Sequence, residues 1–154
     1  DEFFNNYQKQ YRLLHHNYIK AFPGIKDMLH QLNDMDFSLG IVTSKSKTGA
    51  DLTLSSVNLD KFFSIIVTVD DTDKHKPNPE PVLYAMKKLG KTPQESAYVG
   101  DSPFDIESGN RAGVTTIAVG WGMAPIDKLL EHSPTYSVNT VKELTKLLLS
   151  LAGY

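Results

Sequence analysis

Residues 97–113 read AYVGDSPFDIESGNRAG: a short apolar run, Ala97-Tyr98-Val99, stops at Gly100, and Asp101 and Asp105 follow four residues apart. The run is too short for a helix and ends in turn-forming residues, so it reads as a buried strand. A helical pattern over Phe104–Ala112 follows at once and stops at Gly113. In α/β proteins, ligands sit at the carboxyl ends of the strands. Two acids at that position therefore ask for a positive charge.

The same grammar recurs along the chain. Ser38–Thr43 and Ser64–Val69 are apolar runs of strand length, the first leading to a helix over Thr48–Val57. The polar loop Asp70–Pro79 precedes a helix over Glu80–Leu89, and Thr115–Val119 is a fourth strand. A short helix near Pro125–Glu131, an extended stretch near Tyr136 and an amphipathic helix Val141–Leu151 close the chain. Upstream, Phe3, Phe4, Tyr7, Tyr11, Leu14, Tyr18 and Phe22 recur at helical spacing over Asp1–Ala21. Phe22-Pro23-Gly24 breaks that helix, and a second runs from Ile25 to Met35. Apolar strands alternating with helices predict an α/β fold, a parallel sheet with helices on both faces.

Bulk composition narrows the classes. The 154 residues suffice for one domain, and 40% hydrophobic with 22% charged residues is ordinary for a globular protein. A net charge of −2 gives no support to nucleic-acid binding. No apolar run reaches membrane-spanning length, so no membrane partner is expected. The absence of cysteine excludes disulfides and thiolate metal sites and fits a reducing, cytoplasmic compartment. The chain opens on Asp1 rather than Met, which fits an excerpt of a longer protein.

Three strand ends are polar. Thr43-Ser44-Lys45 follows the first strand, His75-Lys76-Pro77-Asn78-Pro79 lies in the loop after the second, and Asp101 with Asp105 follows the third. Hydroxyls and a lysine suit phosphate oxygens, and hard carboxylate oxygens suit Mg²⁺. Each group also has an ordinary structural reading. Thr43, Ser44 and Asp101 are good helix caps, Asp105 is a first-turn acid, and Lys76 and His75 are solvated loop residues.

Taken together and in order, Gly40-Ile41-Val42-Thr43-Ser44-Lys45, Lys76-Pro77-Asn78-Pro79-Glu80-Pro81 and Gly100-Asp101-Ser102-Pro103-Phe104-Asp105 resemble three motifs of the haloacid dehalogenase-like phosphohydrolases. Within that superfamily the chain is most similar to the phosphoglycolate phosphatase and pyrophosphatase branch. The resemblance implies a Rossmann-like core over 22–154 and the C-terminal part of a helical cap over 1–21. It implies that Thr43, with Ser44, binds the phosphoryl group, that Lys76 neutralises its charge, and that Asp101 and Asp105 form the Mg²⁺ site. The implied substrate is a small phosphorylated metabolite or pyrophosphate. As a loop residue, Lys76 is expected to matter far more to chemistry than to folding.

The family's first motif, a strand ending in Asp-x-Asp-x-Thr that supplies the aspartyl nucleophile, has no counterpart. Asp34-Met35-Asp36 sits in a helix-to-strand turn and Asp70-Asp71-Thr72-Asp73 in a loop, and neither has the strand-end context. The expectation is a core lacking its first strand, two inner sheet edges left unpaired, and a dependence on a missing N-terminal segment of the same protein. The 154 residues alone are expected to be inactive. A phosphomutase of the same fold and a non-catalytic binding module are the alternatives. Trp121 follows the fourth strand, placed either at the site mouth or in packing.

Overall fold

The computed structural model describes residues 18–154. The expected helix Asp1–Ala21, and its assignment to a cap, lies outside the described residues except for 18–21.

Helix α1, Ile25–Asp34, starts after Gly24, whose φ of 85° is left-handed and costs glycine little. It buries Met28, Leu29 and Leu32 along one face. Strand β1, Gly40–Val42, leads to α2, Lys47–Ser56. Strand β2 is Ile65–Val67, and α3 is Glu80–Leu89, ended by Gly90 at φ 66°. Strand β3, Ala97–Gly100, runs into α4, Pro103–Ala112. Strand β4, Thr115–Val119, α5, Ile126–Leu130, β5, Tyr136–Val138, and α6, Val141–Leu151, complete the chain.

Among the described residues all strand pairing is parallel. Strands β1 and β2 pair from Gly40 opposite Ile65 to Val42 opposite Val67. Strands β3, β4 and β5 form a second sheet in that order. The first two strands are shorter than the apolar runs that announce them. The hydrogen bonds Ser64 N to Leu39 O and Thr43 N to Val67 O, at 2.9 and 2.8 Å, mark where that pairing ends. The strands thus fall into two sheets among the described residues, as expected of a parallel sheet that lacks a middle strand. Among the described residues, no strand pairs with the side of β1 away from β2 or with the side of β3 away from β4.

Alternation along β4 sets the layers. Ile117 and Val119 pack with Met28, Leu29 and Leu32 of α1 and with Leu144 of α6. Ala118, between them, packs with Ile106 of α4 and Leu129 of α5. Successive strand side chains point to opposite faces, so helices cover both faces as expected. Ile41 and Ile66 of the smaller sheet join the first cluster, which gives both sheets a common core. Helix α4 lies directly on β3 and β4. A Cβ at Gly109 would stand 2.6 Å from Thr116 Cγ2 and 3.0 Å from Tyr98 Cδ1.

Ile106 is 0% exposed beneath that helix. Ile106→Ala is expected to cost about 3 kcal/mol of unfolding free energy, the transfer loss plus the cavity left behind. Denaturant titration of the two proteins measures it.

Candidate functional site

Thr43 directly follows β1, Asp101 directly follows β3, and Trp121 and Gly122 lie just beyond β4. These residues line one cavity of about 280 Å³ together with Lys76, Tyr98 and Asp105. Val42 of β1 and Val99 of β3 face the same cavity, so the two open sheet edges meet there. Phe22 closes one side. Ser44 is exposed and absent from the wall, and His75 is likewise exposed and apart from it. Neither acidic pair considered as a substitute nucleophile lines the cavity. Asp70 instead accepts from the Lys47 amide at 2.8 Å, and Asp71 accepts from the Thr68 amide and hydroxyl, each at 2.7 Å.

The capping roles fall to neighbours. Ser46, not Thr43 or Ser44, caps α2 by accepting from Gly49 N. Ser102, not Asp101, caps α4, and Asp105 answers it as the acidic partner of a capping box. Thr43 Oγ1 accepts from Lys45 N at 3.2 Å, which leaves the hydroxyl proton free of that bond.

Lys76 is not a solvated loop lysine. Its Nζ lies 2.6 Å from Asp105 Oδ1, with the two side chains only 11% and 9% exposed. The premise behind its expected small effect on folding, a solvated loop position, is corrected, because its charge is buried against a partner. Tyr98 OH donates to the same oxygen at 3.2 Å. Asp105 Oδ2 accepts from the Asp101 and Ser102 amides and from Ser102 Oγ. Burial pushes the Asp105 carboxyl up. The Lys76 charge and the hydrogen bonds from Lys76, Ser102 and the Asp101 amide outweigh burial and hold the group below its ordinary value. Burial, then the Asp105 charge and the hydrogen bond to it, push the Tyr98 phenol well up, so it stays a donor.

Helix α4 grips the Lys76 loop at three points. Asp105 holds Lys76, Ser108 Oγ donates to Asn78 O at 2.8 Å, and Arg111 donates to Pro77 O at 3.1 Å. Sequence reasoning passed over Ser108 and Arg111. Their signal was their spacing, since 105, 108 and 111 share one helix face. Tyr98 was read only as a strand residue, although its hydroxyl needed a buried partner.

Asp101 differs from Asp105 in having room. Its Oδ2 accepts from Met123 N at 2.9 Å, and among the described residues no hydrogen bond reaches Oδ1. No group of three or more His, Cys, Asp or Glu stands together as a metal cluster among the described residues. One free carboxylate oxygen on a polar cavity still fits Mg²⁺, which keeps several waters and uses one or two carboxylates with substrate phosphates.

A family model described as haloacid dehalogenase-like hydrolase matches residues 1–119. The pyrophosphatase PpaX of Oceanobacillus iheyensis is 41% identical over 130 residues, covering 84% of this chain and 61% of that protein. The pyrophosphatase PpaX of Bacillus pumilus is 36% identical over 140 residues, covering 88% and 65%. The chain thus spans less than two thirds of the length of either relative. Among solved structures, a hydrolase from Pseudomonas syringae superposes with a TM-score of 0.81 at 28% identity, covering 92% of this chain and 64% of that one.

Proposed function

The chain belongs to the haloacid dehalogenase-like hydrolase family, and from that premise we propose that it forms most of the core of a Mg²⁺-dependent phosphatase acting on pyrophosphate or a small phosphate ester such as phosphoglycolate. The observation that carries this reading is the convergence of Thr43, Lys76 and Asp101 on one cavity at the strand ends. Pyrophosphate is the substrate class named for the relatives.

In this reading the Thr43 hydroxyl donates to a phosphoryl oxygen. Lys76, its head steadied by Asp105, places positive charge beside the transferring group. Asp101 Oδ1 holds the cation, and Asp105 supports the site through Lys76 and the Asp101 amide rather than as a direct ligand, since both its oxygens already accept from protein donors. Bound there, Mg²⁺ supplies the charge that offsets the phosphoryl oxygens. The nucleophile in this reading is an aspartate on a strand outside these 154 residues. Its carboxylate attacks phosphorus as the P–O bond to the departing phosphate or alkoxide breaks, and water then cleaves the aspartyl-phosphate, releasing phosphate and restoring the carboxylate. In this reading that strand would lie between β1 and β3, whose facing edges have no partner among the described residues, and activity would require the N-terminal segment that carries it. Ser44 contributes little, being off the cavity wall.

Among the described residues no helix is long and apolar enough to cross a membrane. We propose a cytoplasmic location, with which a chain free of cysteine is compatible. The test is phosphate release by the full-length protein, with and without Mg²⁺, from pyrophosphate, phosphoglycolate and a panel of small monoesters. Mg²⁺-dependent release from one of them is expected, and failure on all of them would sink the reading.

A further inference from the structure

The segment after β4 crosses directly over Asp101. Ala124 N donates to the Asp101 carbonyl at 3.0 Å, and Met123 N donates to its Oδ2 at 2.9 Å. Between β4 and these two bonds lies Gly122, at the closest approach. A Cβ placed on Gly122 would overlap the Asp101 Cβ, Cγ and Oδ2. The backbone therefore occupies the space next to the carboxylate, and only a residue without a side chain permits that crossing.

We propose that Gly122 and the Met123 amide are positioning elements of the metal site. They strap Asp101 so that Oδ2 is held by an N–H and Oδ1 is presented to a divalent cation. The strap acts through Asp101 and touches neither cation nor substrate. A carboxylate free to turn would offer the cation several geometries, each with its own ordering cost. A hydrogen-bonded one offers a single geometry, which is how outer partners tune metal ligands. The proposal rests on Asp101 being the cation ligand, and its test separates the two ideas.

Mn²⁺ binding to the full-length protein is followed by electron paramagnetic resonance, in the wild type and in Gly122→Ala. The expected result is ~10-fold weaker binding in the variant, with cooperative thermal unfolding retained. Turnover of the variant should be restored by raising the metal concentration, with KM for the phosphate substrate unchanged. Equal affinity in the two proteins would overturn the strap while leaving Asp101 as ligand. A turnover defect that saturating metal does not repair would also overturn it. No Mn²⁺ binding by the wild type would overturn the metal-site reading itself, and the strap with it. Should Gly122→Ala fail to fold, the wild type with ¹⁵N-labelled methionine decides. The Met123 amide resonance should move as Mg²⁺ is added, because the cation draws charge from the carboxylate that accepts its bond. A Met123 resonance unmoved at saturating Mg²⁺ would overturn the proposal.

Discussion

Asp101→Ala in the full-length protein is expected to lower Mg²⁺-dependent kcat by ~1,000-fold or more. Among the described residues, the removed carboxylate is the one acid on the cavity wall with an oxygen free of protein donors. Charge stabilisation by a bound cation contributes several kcal/mol to the transition state, and ~4 kcal/mol corresponds to that factor. Stability should change much less than activity. Asp101 sits on the cavity wall; the variant loses the bond from Met123 N to its carboxylate, but the bonds from Ala124 N to its carbonyl and from its own amide to Asp105 use the backbone and remain. Steady-state kinetics across a Mg²⁺ series, beside thermal unfolding, separates the two effects. Unchanged metal dependence in the variant would remove Asp101 from the site.

Lys76→Met should damage both chemistry and folding. Loss of one preorganised cationic donor costs ~100- to 1,000-fold in kcat. The folding cost arises because Asp105 would remain buried without its partner, and breaking a buried pair costs about 3 kcal/mol. The pH dependence carries a sign that identifies the cause. In the wild type, the depressed Asp105 carboxyl adds stability at neutral pH, and that stability is lost as the pH falls through its folded value. In the variant, burial is no longer offset by Lys76, so Asp105 protonates at higher pH. The stability difference between the two metal-free proteins should therefore be largest near neutrality and shrink in acid. Denaturant unfolding at several pH values measures it, and a pH-independent difference would assign the cost to packing instead.

Much of the architecture could be read from the residues because its signals are local. Glu80–Leu89 and Val141–Leu151 carry strong helical periodicity and clear stops, and their observed bounds agree. Thr115–Val119 is a run of β-branched and small residues bounded by Gly113 and Gly120, and it is the central strand of its sheet. The capping assignments were less legible. In Thr43-Ser44-Lys45-Ser46 and in Asp101-Ser102 several good caps stand side by side, and propensity does not rank them. Ser44 was grouped with Thr43 by adjacency, yet neighbouring residues leaving a strand point in opposite directions. The burial of Lys76 could not be read at all. It depends on how α4 is seated against the loop, through a contact between Lys76 and Asp105, which are 29 residues apart in the sequence.

The three-point grip of α4 on Lys76, Pro77 and Asn78 has a consequence for motion. Those residues have no regular secondary structure, and such segments ordinarily fluctuate on the nanosecond scale. Here each is tied to a helix whose inner face is core. Moving the lysine head away means either breaking a buried ion pair or shifting α4 on the sheet, and collective shifts of that kind belong to microseconds and slower. The charge is thus held nearly stationary on the time scale of a small molecule's diffusion, and if the proposed phosphoryl transfer takes place in this cavity, little reorientation of the protein is left to accompany it.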